Sequence, residues 1–168
     1  HGWVINSTFE IDATRQESTL AFYNANKGLS STVQFWNSAI VVKTSPGKEF
    51  RIDYDLPNQS AKGAVVNTIL SNTGGHFRPN VGTESSGLDS NAYYGVDPSG
   101  YAADPSPLVL AEEPSLDGPP TCASAISCAA ASLPGGSALE YDMERPVPIR
   151  NDIGPFEAVR CADFNLDG

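Results

Sequence analysis

Only two histidines occur in the 168 residues, and one of them, His1, is the first residue. An N-terminal histidine carries a free α-amino group beside its imidazole, and these two nitrogens can chelate one metal ion. His76 offers a further imidazole nitrogen. Three nitrogens suit Cu(II), which favours tetragonal nitrogen coordination and stands high in the order of metal affinities. His1 and His76 are therefore predicted to bind copper. The alternative is that His76 is an ordinary loop histidine.

The charge and composition narrow the class of protein. Twenty acidic residues against ten basic ones give a net charge of −10 and a pI near 4.4, which argues against a nucleic-acid partner. No stretch approaches the roughly 20 apolar residues of a membrane span. The chain starts without methionine and is rich in Ser, Thr, Asn, Gly and Pro. We therefore expect one secreted, monomeric domain over residues 1–168 with no membrane span.

Three cysteines, Cys122, Cys128 and Cys161, bear on the redox environment. A secreted protein is expected to form a disulfide. The count is odd, so one thiol is left over, and the pairing stays open. A zinc site is not expected, because no histidine or fourth cysteine lies at ligand spacing.

The first half of the chain is rich in β-branched and aromatic residues, and some runs alternate with a period of two. The predicted strands are STFEIDA, STLAFYNA, STVQFWNSAIVVKT, EFRIDYDL and GAVVNTILS. The segment SPGK at residues 45–48 predicts a turn, so residues 33–56 are expected to form a hairpin. Gly74 and Gly75 predict a bend. No internal repeat is evident.

Residues 80–135 are packed with Gly, Pro, Ser and Asp and are predicted to be loop-rich. They are expected to include one short strand at PLVLA and a short helix within CASAISCAAASLPGG. Closing strands are predicted at SALEYDME and FEAVRCADFNLDG. The fold predicted is an all-β sandwich, immunoglobulin-like or fibronectin-like, with long loops. Within the loops, Tyr93 and Tyr94 are predicted to contact a sugar substrate.

Three points of the sequence together resemble the lytic polysaccharide monooxygenases. These points are His1, the segment 46–79 with His76 in GGHFRP, and the C-terminal segment 156–168 ending in CADFNLDG. The resemblance implies a secreted β-sandwich with copper held by His1 and His76 as the catalytic centre. It also implies oxidative cleavage of a polysaccharide.

Two positions depart from that family. Where the family has an axial Tyr or Phe, this chain has Ala158, and where it has Gln two residues after the last cysteine, this chain has Asp163. A related fungal family shares the fold and the N-terminal histidine but adds an aspartate to the copper site. By that resemblance Asp163, or alternatively Glu157, is predicted as a third copper ligand. The two departures argue against oxidative activity more than against copper binding.

The end of the chain has a second interpretation. Asp163, Asn165, Asp167 and Gly168 fit the start of a calcium loop, D-x-[DN]-x-[DN]-G, although the sequence ends before the later ligands. Residues 163–168 are therefore either a strand end or the start of a trimmed calcium-loop tail.

Three functions follow as hypotheses. The first is copper-dependent oxidative cleavage of a polysaccharide, and the second is copper binding or handling on the same fold without cleavage. The third is a non-catalytic surface, adhesion or carbohydrate-binding module. In each case the expected partner is a polysaccharide or a cell-wall surface.

Overall fold

A computed structural model describes residues 2–16, 18–21, 32–53, 62–81, 87–96, 104–118, 120–121, 123–127, 129–130 and 152–156. All regular secondary structure in these ranges is β-strand, so the described part of the chain is β-rich, as predicted. The strands are β1 (Gly2–Ile5), β2 (Thr8–Ala13), β3 (Ser18–Ala21), β4 (Thr32–Trp36), β5 (Ala39–Thr44), β6 (Glu49–Asp53), β7 (Lys62–Val66), β8 (Ile69–Thr73), β9 (His76–Val81), β10 (Gly87–Asp89), β11 (Ala92–Tyr94) and β12 (Leu108–Val109).

The strands form three sheets, and consecutive strands from β1 to β11 lie in different sheets. The first sheet has the order β1-β4-β7-β10, the second β12-β11-β8-β5-β2 and the third β3-β6-β9. Each strand from β1 to β8 thus pairs with the strand three places later, and the pairing is parallel. This is the topology of a parallel β-helix, in which every turn of the chain adds one strand to each sheet. The immunoglobulin-like sandwich, whose sheets are antiparallel, is not confirmed.

The turn predicted at residues 45–48 is present, with the Lys48 N–H donating to the Ser45 carbonyl at 2.9 Å. The hairpin predicted over residues 33–56 is wrong, because β4, β5 and β6 lie in three different sheets. A turn motif specifies that the chain changes direction. It does not specify which strand becomes the hydrogen-bonded neighbour, and here that neighbour is one full turn away in the sequence.

The chain has an internal repeat, contrary to the sequence-based expectation. Gly2 pairs with Val33 and Val33 pairs with Gly63, so the first two turns are 31 and 30 residues long. The third is shorter, since Ala64 pairs with Gly87, 23 residues later. The signal of the repeat in the sequence is Asn-Ser or Asn-Thr at residues 6–7, 37–38 and 67–68, whereas the alternating apolar positions differ in residue type from turn to turn.

One corner recurs in every turn, between the first and second sheets. Asn6, Asn37 and Asn67 stand there with φ of 50°, 47° and 49°. Asparagine adopts this left-handed conformation more readily than most residues. The N–H of Asn37 donates to the Val66 carbonyl of the next turn at 3.1 Å, and the other two corners are linked in the same way. The parallel ladder therefore continues around the corner.

Inward-facing side chains fill the space between the three sheets. The largest fully buried ones include Phe35, Ile40, Ile52, Leu70 and Tyr93. Because each turn presents its alternate residues to the inside, these side chains stack along the axis into one apolar core.

A second apolar cluster lies on the second sheet, where Ala39, Ile69 and Ala92 are covered by Ile126 and Ile153. The predicted strand at PLVLA is confirmed as β12. Residues 123–127, within the segment predicted to contain a short helix, form turns. Separately, no helix in the described part of the chain is long and apolar enough to cross a membrane. The closing strand predicted at SALEYDME lies outside the described residues, as does nearly all of FEAVRCADFNLDG.

Candidate functional site

The outward face of the third sheet concentrates basic side chains. Residues 49–51 are Glu-Phe-Arg and residues 76–78 are His-Phe-Arg, and the two triplets occupy matching positions on β6 and β9. Phe50 and Phe77 are buried and pack edge to face, with ring centroids 5.3 Å apart. Since side chains alternate across a strand, their neighbours point outward. We call this outward set, together with the exposed residue before β6, the arginine face: Lys48, Glu49, Arg51, His76 and Arg78.

Glu49 holds the two arginines of this face. Arg51 and Arg78 are directly opposite each other on β6 and β9. The Nε of Arg51 contacts Oε1 of Glu49, and the Nε of Arg78 lies 2.6 Å from Oε2 of the same carboxylate. The arginine side chains are 43% and 49% exposed, whereas that of Glu49 is 13% exposed. One largely buried carboxylate therefore fixes two half-exposed guanidinium groups side by side.

A tight corner places His76 next to Lys48. The N–H of His76 donates to the Lys48 carbonyl at 2.8 Å. A Cβ added to Gly75 would lie 2.3 Å from that carbonyl oxygen, so only glycine permits this approach. The hydroxyl of Thr44 accepts the Gly75 N–H at 2.6 Å, which ties the corner to the end of β5. The exposed imidazole of His76 thus extends the row of basic groups.

The described charges of the arginine face are mainly positive, whereas the net charge of the chain is negative. Among the side chains that the structure describes on this face, Lys48, Arg51 and Arg78 are cationic and Glu49 is the one carboxylate, while the whole sequence has net charge −10. Within a Debye length of about 10 Å at 0.1 M salt the local charge dominates over distant ones. The face can therefore attract an anion even though the molecule as a whole is acidic.

A groove on the outside of the second sheet has the opposite character. Its volume is about 370 Å³, and its charged lining residues are Glu10, Asp12, Lys43 and Glu113. Lys43 lies directly opposite Asp12 on the neighbouring strand. Because three carboxylates accompany one ammonium group, this groove repels anions. The two faces therefore differ in the sign of the ligand they favour.

Tyr93, predicted as a surface contact for sugar, is fully buried in the core. Its hydroxyl donates to Oδ2 of Asp104 at 2.8 Å. Burial raises the pKa of Tyr93 far above its usual range, and the hydrogen bond and the negative charge of Asp104 act in the same direction. Tyr93 is thus a core residue. Tyr94, the next residue along β11, is partly exposed and stays a predicted contact.

Of the predicted copper ligands, His76 is exposed at the start of β9, while His1 and Asp163 lie outside the described residues. The same is true of Cys122, Cys128 and Cys161, so the predicted disulfide is not tested. Within the described ranges no group of three or more His, Cys, Asp or Glu residues is arranged to hold a metal ion. Directly opposite His76, on β6, is Glu49.

Sequence reasoning did not single out Arg51 and Arg78. A signal was present, since Glu-Phe-Arg at 49–51 and His-Phe-Arg at 76–78 repeat the same pattern. On isolated strands the two arginines would be ordinary solvated residues. Their proximity follows only from the parallel register of β6 and β9, which the sequence did not reveal.

No protein-family model, curated protein or solved structure matches the chain.

Proposed function

We propose that the protein is a non-catalytic binding module whose arginine face binds an acidic polysaccharide. The observation that carries the proposal is the pair of half-exposed guanidinium groups, Arg51 and Arg78, held by Glu49. Guanidinium groups form strong, charge-assisted hydrogen bonds with carboxylates and related anions.

The shape of the face favours a polymer over a small molecule. Its residues lie on the outer side of two adjacent parallel strands, and such strands are about 4.8 Å apart. A linear chain with acidic groups at intervals can lie across this surface and meet both arginines.

The overall charge favours a polysaccharide over a nucleic acid. Double-stranded DNA carries one negative charge per about 1.7 Å of its axis, so a protein of net charge −10 is strongly repelled. A polysaccharide with at most one acid per sugar has a lower charge density and is repelled less. Secretion, expected from the composition, would place the module where such polymers occur.

Binding to polygalacturonate, compared with a neutral polymer such as dextran, tests this function by affinity electrophoresis and calorimetry. Wild type should bind the acidic polymer alone, and more weakly as salt rises, because exposed charges are screened. The Arg51→Ala/Arg78→Ala double variant should lose binding. Lys43→Ala, which removes one cation from the second-sheet groove, is the matched control and should bind normally.

Three results would contradict the proposal. They are equal retention by dextran, no effect of the double arginine variant, or equal loss in Lys43→Ala. Polyglutamate competing as well as the polysaccharide would show that the face binds an acidic polypeptide, and this too would overturn the assignment.

Copper binding is our second candidate, favoured by the exposed imidazole of His76. Its other proposed ligands are His1 and Asp163. Copper titration of the metal-free chain with EPR tests it. A one-to-one site with nitrogen hyperfine structure, lost in His76→Ala and on adding a residue before His1, would support copper. Unchanged weak binding in both variants would rule it out. Release of oxidised oligosaccharides with a reductant would further distinguish cleavage from binding alone.

A further inference from the structure

The contacts of Glu49 leave a specific edge of each arginine for a ligand. Each guanidinium meets Glu49 through its Nε, one on each carboxylate oxygen. The outer edge of each group, formed by Nη1 and Nη2, is therefore not committed to Glu49. That edge carries two parallel N–H bonds and matches the two oxygens of a planar carboxylate.

We propose that Glu49 is a positioning residue that aligns Arg51 and Arg78 as two neighbouring forks, and that this makes the face selective for carboxylates over sulfate esters. The inference rests on the proposed function and names the ligand class of the same site. A polysaccharide built from uronic acids presents such carboxylates, one on each sugar.

Selectivity follows from acceptor strength, because a guanidinium fork can also meet two oxygens of a tetrahedral anion. A carboxylate offers two coplanar oxygens that share one charge, so both bonds of a fork can form at once. A sulfate ester spreads its charge over three oxygens arranged around a tetrahedral centre, and each is a weaker acceptor. A site that merely collects positive charge would bind both anions equally.

Electrostatics alone and the positioning role of Glu49 predict opposite changes in carboxylate affinity when Glu49 is replaced. Removing its charge makes the face more positive, so simple electrostatics predicts that Glu49→Ala binds any anion more tightly. If Glu49 positions the forks, the same change frees both guanidinium groups and weakens binding to carboxylates. Side-chain freedom that the ligand must then restrict opposes association.

The measurement is calorimetric titration of the full chain with a trigalacturonate and with a sulfated neutral trisaccharide of the same length. We expect Glu49→Ala to lose about tenfold in affinity for trigalacturonate, which corresponds to about 1.4 kcal/mol. Affinity for the sulfated sugar should stay the same or rise. An unchanged or higher affinity for trigalacturonate would overturn the inference.

A second variant keeps the test independent of folding changes in Glu49→Ala. Arg51→Lys/Arg78→Lys retains both charges but replaces each fork with a single ammonium group. This double lysine variant should lose the preference for trigalacturonate over the sulfated sugar. If the ratio of the two affinities is the same in the variant as in wild type, the fork geometry is contradicted. If Arg51→Ala/Arg78→Ala abolishes binding while Glu49→Ala tightens it, the proposed function stands and the role of Glu49 fails. If the arginine-to-alanine variant binds normally, both fail.

Discussion

The hydroxyl of Tyr93 donates a hydrogen bond to Oδ2 of Asp104 at 2.8 Å, and both side chains are buried beside the corner between β10 and β11. The same carboxylate accepts the backbone N–H groups of Ser90, Asn91 and Ser106 and the side-chain amide of Asn91, at 2.9–3.1 Å. Asp104 thus accepts hydrogen bonds from the backbone N–H groups of Ser90 and Asn91, at the corner between β10 and β11. It joins that corner to the segment leading into β12.

Asp104→Asn should destabilise the fold by about 2–3 kcal/mol, because an amide NH2 group would face backbone N–H groups that the carboxylate now accepts. Tyr93→Phe removes one donor and should cost about 1 kcal/mol. Urea denaturation followed by circular dichroism measures both. Asp117→Asn, at an exposed residue, is the control and should cost little. Equal effects of the two aspartate variants would contradict the role of Asp104.

The raised pKa of Tyr93 predicts a loss of stability at alkaline pH. The folded protein keeps this phenol protonated above its ordinary pKa of 10.0, whereas the unfolded chain ionises it there. The folded state then binds more protons, so its stability is complete below that pH and falls as pH rises beyond it.

The free energy of unfolding, measured between about pH 8 and about pH 11, should therefore decline less steeply in Tyr93→Phe than in wild type. Parallel curves for the two proteins across the whole range would show that Tyr93 is not kept protonated by the fold.

The local features of the fold could be predicted from the sequence, but its topology could not. The runs that became β2, β5, β6 and β8 are β-branched and aromatic, and the turn at residues 45–48 has its own residue signature. The partner of a strand in this β-helix lies one full turn away, 31 residues for Gly2 and Val33 but 23 for Ala64 and Gly87, so a local turn motif does not identify it. An immunoglobulin-like sandwich satisfies the same strand pattern, which is why it was expected.

The candidate site shows the same division. His76 was singled out because histidine is rare in this chain and chemically versatile. Arg51 and Arg78 acquire a role only when β6 lies beside β9 in register. Tyr93 was predicted to lie in a surface loop because Gly and Pro are frequent around it. In the structure it lies on β11, a largely buried strand, and its side chain points into the core.

The pKa of Asp12 is held below its ordinary value of 3.8, mainly because the Thr14 hydroxyl donates to its carboxylate at 2.5 Å and also because the Thr14 N–H donates at 2.9 Å. Thr14→Ala removes the first of these bonds, so the pKa should rise towards the ordinary value. NMR titration of the Asp12 side chain measures the change.

Thr14→Ser keeps a hydroxyl and should keep the pKa low. The lowered pKa also means that this carboxylate stabilises the fold above its ordinary pKa, and that the contribution is lost as pH falls through the folded-state pKa. An unshifted Asp12 in wild type would contradict the Asp12–Thr14 contact.

Gly154 should not tolerate a side chain, for two separable reasons. Its φ is 110°, and a Cβ there would lie 2.7 Å from Cδ1 of Ile69, which belongs to the apolar cluster on the second sheet. Its N–H also donates to the Asn67 carbonyl at 2.8 Å, so the backbone cannot easily move away. Gly154→Ala is expected to lower the free energy of unfolding by about 2–4 kcal/mol.

Two comparisons separate backbone strain from the steric clash. Gly47 has φ of 76° with nothing within 4 Å of an added Cβ, so Gly47→Ala should show only the conformational cost, about 1–2 kcal/mol. Ile69→Val removes Cδ1, so Gly154→Ala should cost about 1 kcal/mol less in that background than in wild type. Urea denaturation of the four proteins in this double-mutant cycle gives the coupling energy. If the two changes in the free energy of unfolding are strictly additive, an added Cβ at Gly154 does not clash with Ile69, and glycine is needed there only for its backbone conformation.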